Sequence, residues 1–201
     1  MENYNIVIPS AVGDIDFIPC VITYVRKNII GCDKIFVITN EKGIERAKRW
    51  NGLLSDVTIL DENKLLDGLT FQKVKQYLYQ KRWYVRQGWY FQQFLKMGFA
   101  LTDYAGEYYM AWDADTLPLS KLGFIEDNHP LFTIKKEFHS AYFDTMKKLI
   151  GLDKSVDYSF IAEHMLFKTS IMILTSLDLK KRLMLKKLLV KNLKLICFVI
   201  Q

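Results

Sequence analysis

The stretch Lys34-Ile-Phe-Val-Ile-Thr-Asn40 is an apolar run of the length of one buried strand, and Glu41–Trp50, which follows it, has the charged composition of a surface helix. A similar run precedes it at residues 5–8, and another, Val57-Thr-Ile-Leu60, comes after the charged segment. Between the first two runs an apolar stripe recurs at helical spacing, formed by Ile18, Val21, Ile22, Val25 and Ile29. Strands that alternate with helices predict a mostly parallel sheet with helices on its faces.

The rest of the chain continues this α/β pattern. The predicted elements are strands at 107–112 and 131–134, a helix over 71–103 with an interruption near Gly88, a helix over 138–150, and a helix or loop-helix over 158–169. Asp16 is the predicted cap of the first helix, and Pro19 lies in its first turn. Internal repeats and Gly/Ser/Pro-rich linkers are absent from the sequence, so we expect a single domain.

Several classes of protein are disfavoured by the composition. The N-terminal residues lack the pattern of a secretory signal, and no apolar run approaches the roughly 20 residues that span a bilayer. The three cysteines, Cys20, Cys32 and Cys197, are scattered and fit neither a disulfide framework nor a zinc site. These features predict a cytoplasmic protein.

The net charge of +6 is carried entirely by residues 177–201, and the acidic and basic side chains of the remainder balance. Nucleic-acid binding by a basic surface is therefore not expected outside this segment. The tail, residues 169–201, is rich in Leu and Lys. One interpretation is a basic amphipathic helix, with residues 177–201 in peripheral contact with the inner face of an anionic membrane. The other interpretation is a truncated or frame-shifted end.

The sequence Asp113-Ala-Asp115 follows directly on the apolar strand predicted at 107–112. Two carboxylates one residue apart at a strand end can turn towards one point above the sheet, where parallel α/β folds bind ligands. Mg²⁺ and Mn²⁺ take such oxygen ligands, commonly together with substrate phosphates. The alternative is a solvated turn, because Asp is common where strands end.

Three segments together resemble the GT-A glycosyltransferases, and more narrowly a little-studied set of bacterial GT-A-like proteins associated with surface-polysaccharide synthesis. The segments are Tyr108-Tyr-Met-Ala-Trp-Asp-Ala-Asp-Thr-Leu-Pro-Leu119, Arg86-Gln-Gly-Trp-Tyr-Phe-Gln-Gln-Phe-Leu-Lys96 and Ser159-Phe-Ile-Ala-Glu-His-Met-Leu-Phe167. The resemblance covers residues 4–168. It divides the chain into a GT-A-like domain at 1–168, which is shorter than a complete GT-A enzyme, and the tail at 169–201. It implies a nucleoside-diphosphate-sugar donor, an Asp-x-Asp metal site and an acceptor hydroxyl.

On a helix, Arg86, Gln93 and Lys96 would share one face, and Gln92 would flank it. The two basic side chains suit a pyrophosphate, Arg by paired hydrogen bonds and Lys as a point charge. Glutamine can bind a base or a sugar hydroxyl. The alternative is a solvated helix face.

Further candidates follow from the resemblance. Glu163 is expected to act as the general base of an inverting transfer, with Glu137 as a second candidate for that role or for acceptor contact. His164 would complete the metal shell or contact phosphate, and its alternative is a buried core histidine. The base of the nucleotide is expected at Pro9 and Ser10, at the end of the first strand, and less strongly at Asp61.

The function predicted from the sequence is a hexosyltransferase-like enzyme that uses Mn²⁺ or Mg²⁺ to move a sugar onto a saccharide or lipid-linked saccharide acceptor. Whether the anomeric configuration is retained or inverted stays open. An inactive nucleotide-sugar-binding remnant at a membrane surface is the alternative. A nucleotidyltransferase is disfavoured because Pro9-Ser-Ala-Val-Gly13 holds one glycine and not a glycine-rich phosphate loop.

Overall fold

The computed structural model describes residues 3–50, 56–81, 86–136, 139–160 and 162–185. The strands are β1 Tyr4–Pro9, β2 Ile29–Ile30, β3 Cys32–Thr39, β4 Val57–Asp61, β5 Tyr108–Trp112, β6 Leu122–Gly123, β7 Ile125–Glu126, β8 His129–Pro130 and β9 His164–Lys168. The α-helices are α1 Ile18–Asn28, α2 Glu41–Ala47, α3 Phe71–Gln80, α4 Gln87–Gly98, α5 Ser140–Ile150 and α6 Thr169–Leu185. Short 3₁₀ helices extend α2 over Lys48–Trp50 and α4 over Phe99–Leu101.

The central sheet has five strands in the order β4-β3-β1-β5-β9. The first four are parallel, and β9 pairs antiparallel with β5 at the edge. The prediction of a mostly parallel α/β sheet in one domain is confirmed. Because β1 lies between two parallel neighbours with helices on both faces, Ile6, Val7 and Ile8 are all buried completely.

Side chains alternate between two apolar cores on opposite faces of this sheet. The first core contains α1, Ile6 and Ile8 of β1, and Trp112 of β5. The second core lies under α3 and α4 and receives Val7 of β1 and Ala111 of β5. Successive side chains of a strand therefore lie in different cores. At the end of β5, Ala111 belongs to the second core and Trp112 to the first.

The elements predicted in the N-terminal half are confirmed, but two later predictions are wrong. Within the segment 158–169, His164–Lys168 form β9 rather than a helix, because their backbone completes the sheet edge beside β5. Residues 131–134 form no strand, and Leu131, Phe132 and Ile134 are exposed. The helical segment predicted over 71–103 with an interruption near Gly88 is confirmed, since α3 ends at Gln80 and α4 begins at Gln87.

Asp16 does not cap α1. Phe17 occupies the N-cap position without a side-chain hydrogen bond, although Pro19 lies in the first turn as expected. Side-chain caps occur instead at Asn40 of α2 and Thr70 of α3, which accept hydrogen bonds from Gly43 N and Lys73 N.

The first part of the tail forms α6. Thr169 anchors its start by a 2.6 Å hydrogen bond from Oγ1 to Gly106 O, and Met172 is buried against the second core. Ile171, Leu174 and Leu177 are exposed. The structure does not describe residues 186–201 or the side chains of 178–185. Most of the segment 177–201, which is predicted to contact a membrane, therefore lies outside the described residues. Within the part of the chain that the structure describes, no helix is both long and apolar enough to cross a membrane.

Candidate active site

Helix α4 lies across the carboxyl ends of β1 and β5. Its apolar side packs on the second core, which leaves three polar side chains, Gln92, Gln93 and Lys96, towards the strand ends. Gln92 Nε2 donates a 3.3 Å hydrogen bond to Pro9 O, and Lys96 Nζ forms an ion pair with Asp113. Helix α4 thereby contacts the carboxyl ends of both β1 and β5, which are far apart in the sequence.

The Asp-Ala-Asp segment forms a hydrogen-bonded turn. Thr116 N donates to Asp113 O at 3.2 Å, and the indole Nε1 of Trp112 donates to Thr116 O at 2.9 Å. Ala114 is buried between the two aspartates, whereas Asp113 is half-buried and Asp115 is exposed. This turn projects two carboxylates from one short segment at the end of β5.

Glu163 lies beside Asp113 across the β5–β9 pair, since Asp113 N donates to Glu163 O at 2.9 Å. Directly opposed residues of neighbouring strands point to the same face, so both carboxyl side chains lie on the α4 side. Lys135 Nζ contacts Glu163 Oε1 at 2.6 Å. This hydrogen bond is the main reason that the pKa of Glu163 is below its usual value of 4.5.

His164 points to the other face. Its ring stacks on Trp112 with centroids 4.9 Å apart and meets the edge of Phe124 at 5.0 Å. Nε2 shares a 2.9 Å hydrogen bond with Thr133 Oγ1, while Nδ1 is buried and has no hydrogen-bond partner among the described residues. Burial lowers the pKa of the imidazole, which is therefore neutral at pH 7. The ring contacts of His164 are with Trp112, Phe124 and Thr133, as in the core-histidine alternative, while the charge of Asp113 acts on the imidazole and opposes the lowering of its pKa. A role of His164 in the metal shell stays a prediction.

The donor set available for a divalent cation at the turn consists of Asp113 and Asp115. Among the described residues no group of three or more His, Cys, Asp or Glu side chains could hold a metal. Mg²⁺ and Mn²⁺ sites of nucleotide enzymes use one or two carboxylates, with phosphate and water supplying the rest. Two aspartates at a strand end fit that chemistry, provided that a substrate completes the shell.

The other predicted residues are placed as follows. Ser10 is buried beside Pro9 at the end of β1, and its backbone N–H donates to Ile38 O at 2.8 Å. Asp61 ends β4, two strands away from β1, and pairs with Lys64 at 3.2 Å. It is thus separated from the turn of β5. Arg86 is exposed and immediately precedes α4 with φ of 60°, so it does not share a helix face with Gln93 and Lys96. Glu137 lies outside the described residues.

Comparison with family models gives one match, over residues 19–186, to a family of unknown function, DUF6492. The chain belongs to the DUF6492 family. No curated protein matches it.

Solved structures show which fold this DUF6492 member has. The apo structure of the bifunctional glycosyltransferase WbbM superposes with a TM-score of 0.53 at 14% identity, over 98% of this chain and 37% of WbbM. The apo structure of mouse xyloside xylosyltransferase 1 gives 0.51 at 14% identity, over 88% of this chain and 72% of that one. The chain thus spans little more than a third of WbbM. The GT-A-like fold expected from the sequence is confirmed.

Two cavities of this DUF6492 protein border β9. The smaller, of about 30 Å³, lies between α4 and β9 and is bordered by Gln93, Lys96 and Glu163. The larger, of about 560 Å³, is mainly apolar and lies between α5, α6 and β9. Met165 and Phe167 line both, so the two cavities meet at β9.

Sequence reasoning missed Lys135, which contacts Glu163, and Thr133, which contacts His164. They reach β9 through a hairpin in which Asp127 and Asn128 have φ of 47° and 62°. The Asp-Asn pair is a turn signal that could have shown the reversal, but nothing local indicates that the following residues pack on β9.

Proposed function

We propose that this protein is a metal-dependent glycosyltransferase that moves a sugar from a nucleoside-diphosphate sugar to an acceptor hydroxyl. The observation that carries the proposal is the turn with Asp113 and Asp115 at the carboxyl end of β5, beneath the polar side of α4. Ligands of parallel α/β folds bind at that edge. The fold shared with two glycosyltransferases supports the reaction class, and a role in bacterial surface-polysaccharide synthesis rests on the resemblance of the motifs.

On the donor side, Asp113 and Asp115 would hold Mn²⁺ or Mg²⁺ against the diphosphate. When bound, the cation withdraws negative charge from the departing nucleoside diphosphate. Lys96 is the proposed contact of the same phosphates, and Gln93 borders the adjoining cavity. Pro9 and Ser10 lie at the next strand end and are the proposed position of the base.

On the acceptor side, Glu163 is the proposed general base. In an inverting transfer the acceptor oxygen forms a bond to the anomeric carbon while the bond to the phosphate oxygen breaks, and its electron pair leaves with the diphosphate. Glu163 takes the hydroxyl proton. With a pKa below 4.5 the carboxylate is ionised at neutral pH and can accept a proton, although the hydrogen bond from Lys135 makes it a weaker base than an ordinary glutamate. A retaining transfer needs no such base.

The metal assignment predicts the behaviour of Asp113→Asn and Asp115→Asn. Wild-type protein should be stabilised by one of UDP, GDP or CDP when Mn²⁺ is present. At about 100 times the dissociation constant the gain is about 2.7 kcal/mol, which raises the melting temperature by about 5–10 °C. Both variants should lose this Mn²⁺-dependent shift, measured by thermal denaturation.

Asp103→Asn is the matched control, because this exposed aspartate precedes β5 at its opposite end. It should retain the full shift. An unchanged shift in both the Asp113 and Asp115 variants contradicts the metal assignment. Nucleotide binding without sugar transfer or donor hydrolysis favours the alternative, an inactive nucleotide-sugar-binding remnant.

A further inference from the structure

The side chain of Lys96 is only 13% exposed, and its ammonium group contacts Oδ1 of Asp113, whose side chain is 30% exposed. It leaves α4 between Gln93 and Met97, which are both buried. A largely buried ammonium group needs an opposite charge close to it. In the structure that charge is a carboxylate of the proposed metal site.

A divalent cation that binds Asp113 must therefore compete with Lys96 for the same carboxylate. It must also approach an ammonium group that carries a like charge at short range, which is unfavourable in a partly desolvated site. Asp115, exposed on the same turn, is the other carboxylate ligand proposed. The free protein is thus poorly arranged to bind a cation by itself.

A diphosphate changes this balance because it offers Lys96 a second anionic partner. Lysine binds phosphate as a point charge through flexible methylenes, so its ammonium group can move from one oxygen to another nearby. Asp113 is then free for the cation, which also gains phosphate oxygens as ligands. Binding of the diphosphate would thereby favour binding of the cation, and binding of the cation would favour binding of the diphosphate.

We infer that Lys96 couples cation binding to nucleotide binding: it occupies Asp113 in the free protein and transfers to the diphosphate in the complex. This inference rests on the proposed function. The coupling is reciprocal, so Mn²⁺ should tighten nucleotide binding by the same factor by which the nucleotide tightens Mn²⁺ binding. Typical couplings of this kind lie between about 5-fold and 150-fold.

The test is to measure the dissociation constant of Mn²⁺ on the full chain by electron paramagnetic resonance, alone and with saturating UDP, GDP or CDP. Lys96→Met should bind Mn²⁺ alone about tenfold more tightly than wild type, and the tightening caused by the nucleotide should fall by at least about fivefold. Lys96→Arg keeps the charge and should keep the coupling. If Lys96→Met does not fold, Lys96→Gln replaces it.

Lys168→Met is the matched control, since Lys168 pairs with Glu107 at 3.4 Å at the far end of β5 and β9. It should leave both Mn²⁺ constants unchanged. If wild type binds Mn²⁺ and nucleotide together but Lys96→Met has wild-type constants, the inference is wrong and the proposed function stands. If no nucleotide promotes Mn²⁺ binding by any of these proteins, the proposed function fails and the inference fails with it.

Discussion

At the scale of single residues, the contact between Lys135 and Glu163 has a measurable consequence. The hydrogen bond from Lys135 is the largest cause of the lowered pKa of Glu163. Removing it in Lys135→Met should raise that pKa towards 4.5. The acid limb of the pH profile of kcat/KM should therefore move to higher pH in the variant, as measured by sugar transfer across pH 3.5–7. A profile identical to wild type excludes Glu163 as the group that titrates.

His164 predicts a different pH dependence, in stability rather than activity. Burial lowers its pKa from 6.5, so below that value the unfolded chain binds more protons than the folded protein. Acid therefore favours unfolding, and stability is lost as pH falls from about 6.5 through the folded pKa. His164→Phe keeps a ring against Trp112 but cannot titrate. Its free energy of unfolding in urea should fall less steeply than that of wild type between pH 7 and 5; equal slopes contradict the prediction.

At the scale of elements, the start of α2 is packed against the end of β3 through a glycine. A Cβ on Gly43 would lie 2.1 Å from Oγ1 of Thr39, whose side chain is completely buried. Thr39 is β-branched and cannot easily move, so Gly43→Ala should destabilise the protein by about 1–3 kcal/mol in urea denaturation. Gly88, in α4, has open space around its Cβ position. Gly88→Ala should therefore be neutral or should stabilise by up to about 1 kcal/mol.

At the scale of the whole molecule, β9 brings an apolar cavity next to the proposed site. Met165 and Phe167 border both this cavity and the small one beside Lys96 and Glu163. We therefore propose that the larger cavity receives the apolar part of a lipid-linked saccharide acceptor. An octyl glycoside should have a KM at least about tenfold lower than its methyl counterpart, because each buried methylene contributes about 0.8 kcal/mol.

Ile171 provides the variant for this test, because it lines the larger cavity at the start of α6. Ile171→Gln should reduce the preference for the octyl glycoside in steady-state kinetics. Leu119→Gln, at a side chain that is 80% exposed outside the cavity, should leave it unchanged. Equal KM values for the two glycosides in wild type contradict an apolar acceptor site here.

Much of the fold could be predicted from local sequence. Apolar runs such as Ile35–Ile38 have the period and length of buried parallel strands, and the stripe of α1 has the period of a helix. Both patterns arise because one side of each element must be buried, and that requirement acts on neighbouring residues. The Asp-Ala-Asp turn was visible for the same reason, since its polar residues interrupt a buried strand.

Tertiary structure alone decided how the candidate site is assembled. Lys96 contacts Asp113 from α4, Glu163 lies beside Asp113 at the start of β9, and Lys135 contacts Glu163 from a third segment. No local pattern encodes these contacts. The face to which His164 points depends on the register between β9 and β5, since a shift of one residue would exchange it with Glu163. Residues 164–168 became a strand because β5 offered an unpaired edge, a preference that lies in the partner and not in the segment. Spacing along the chain therefore determined the sheet and the paired aspartates. Contacts between distant segments determined which other side chains lie next to those aspartates.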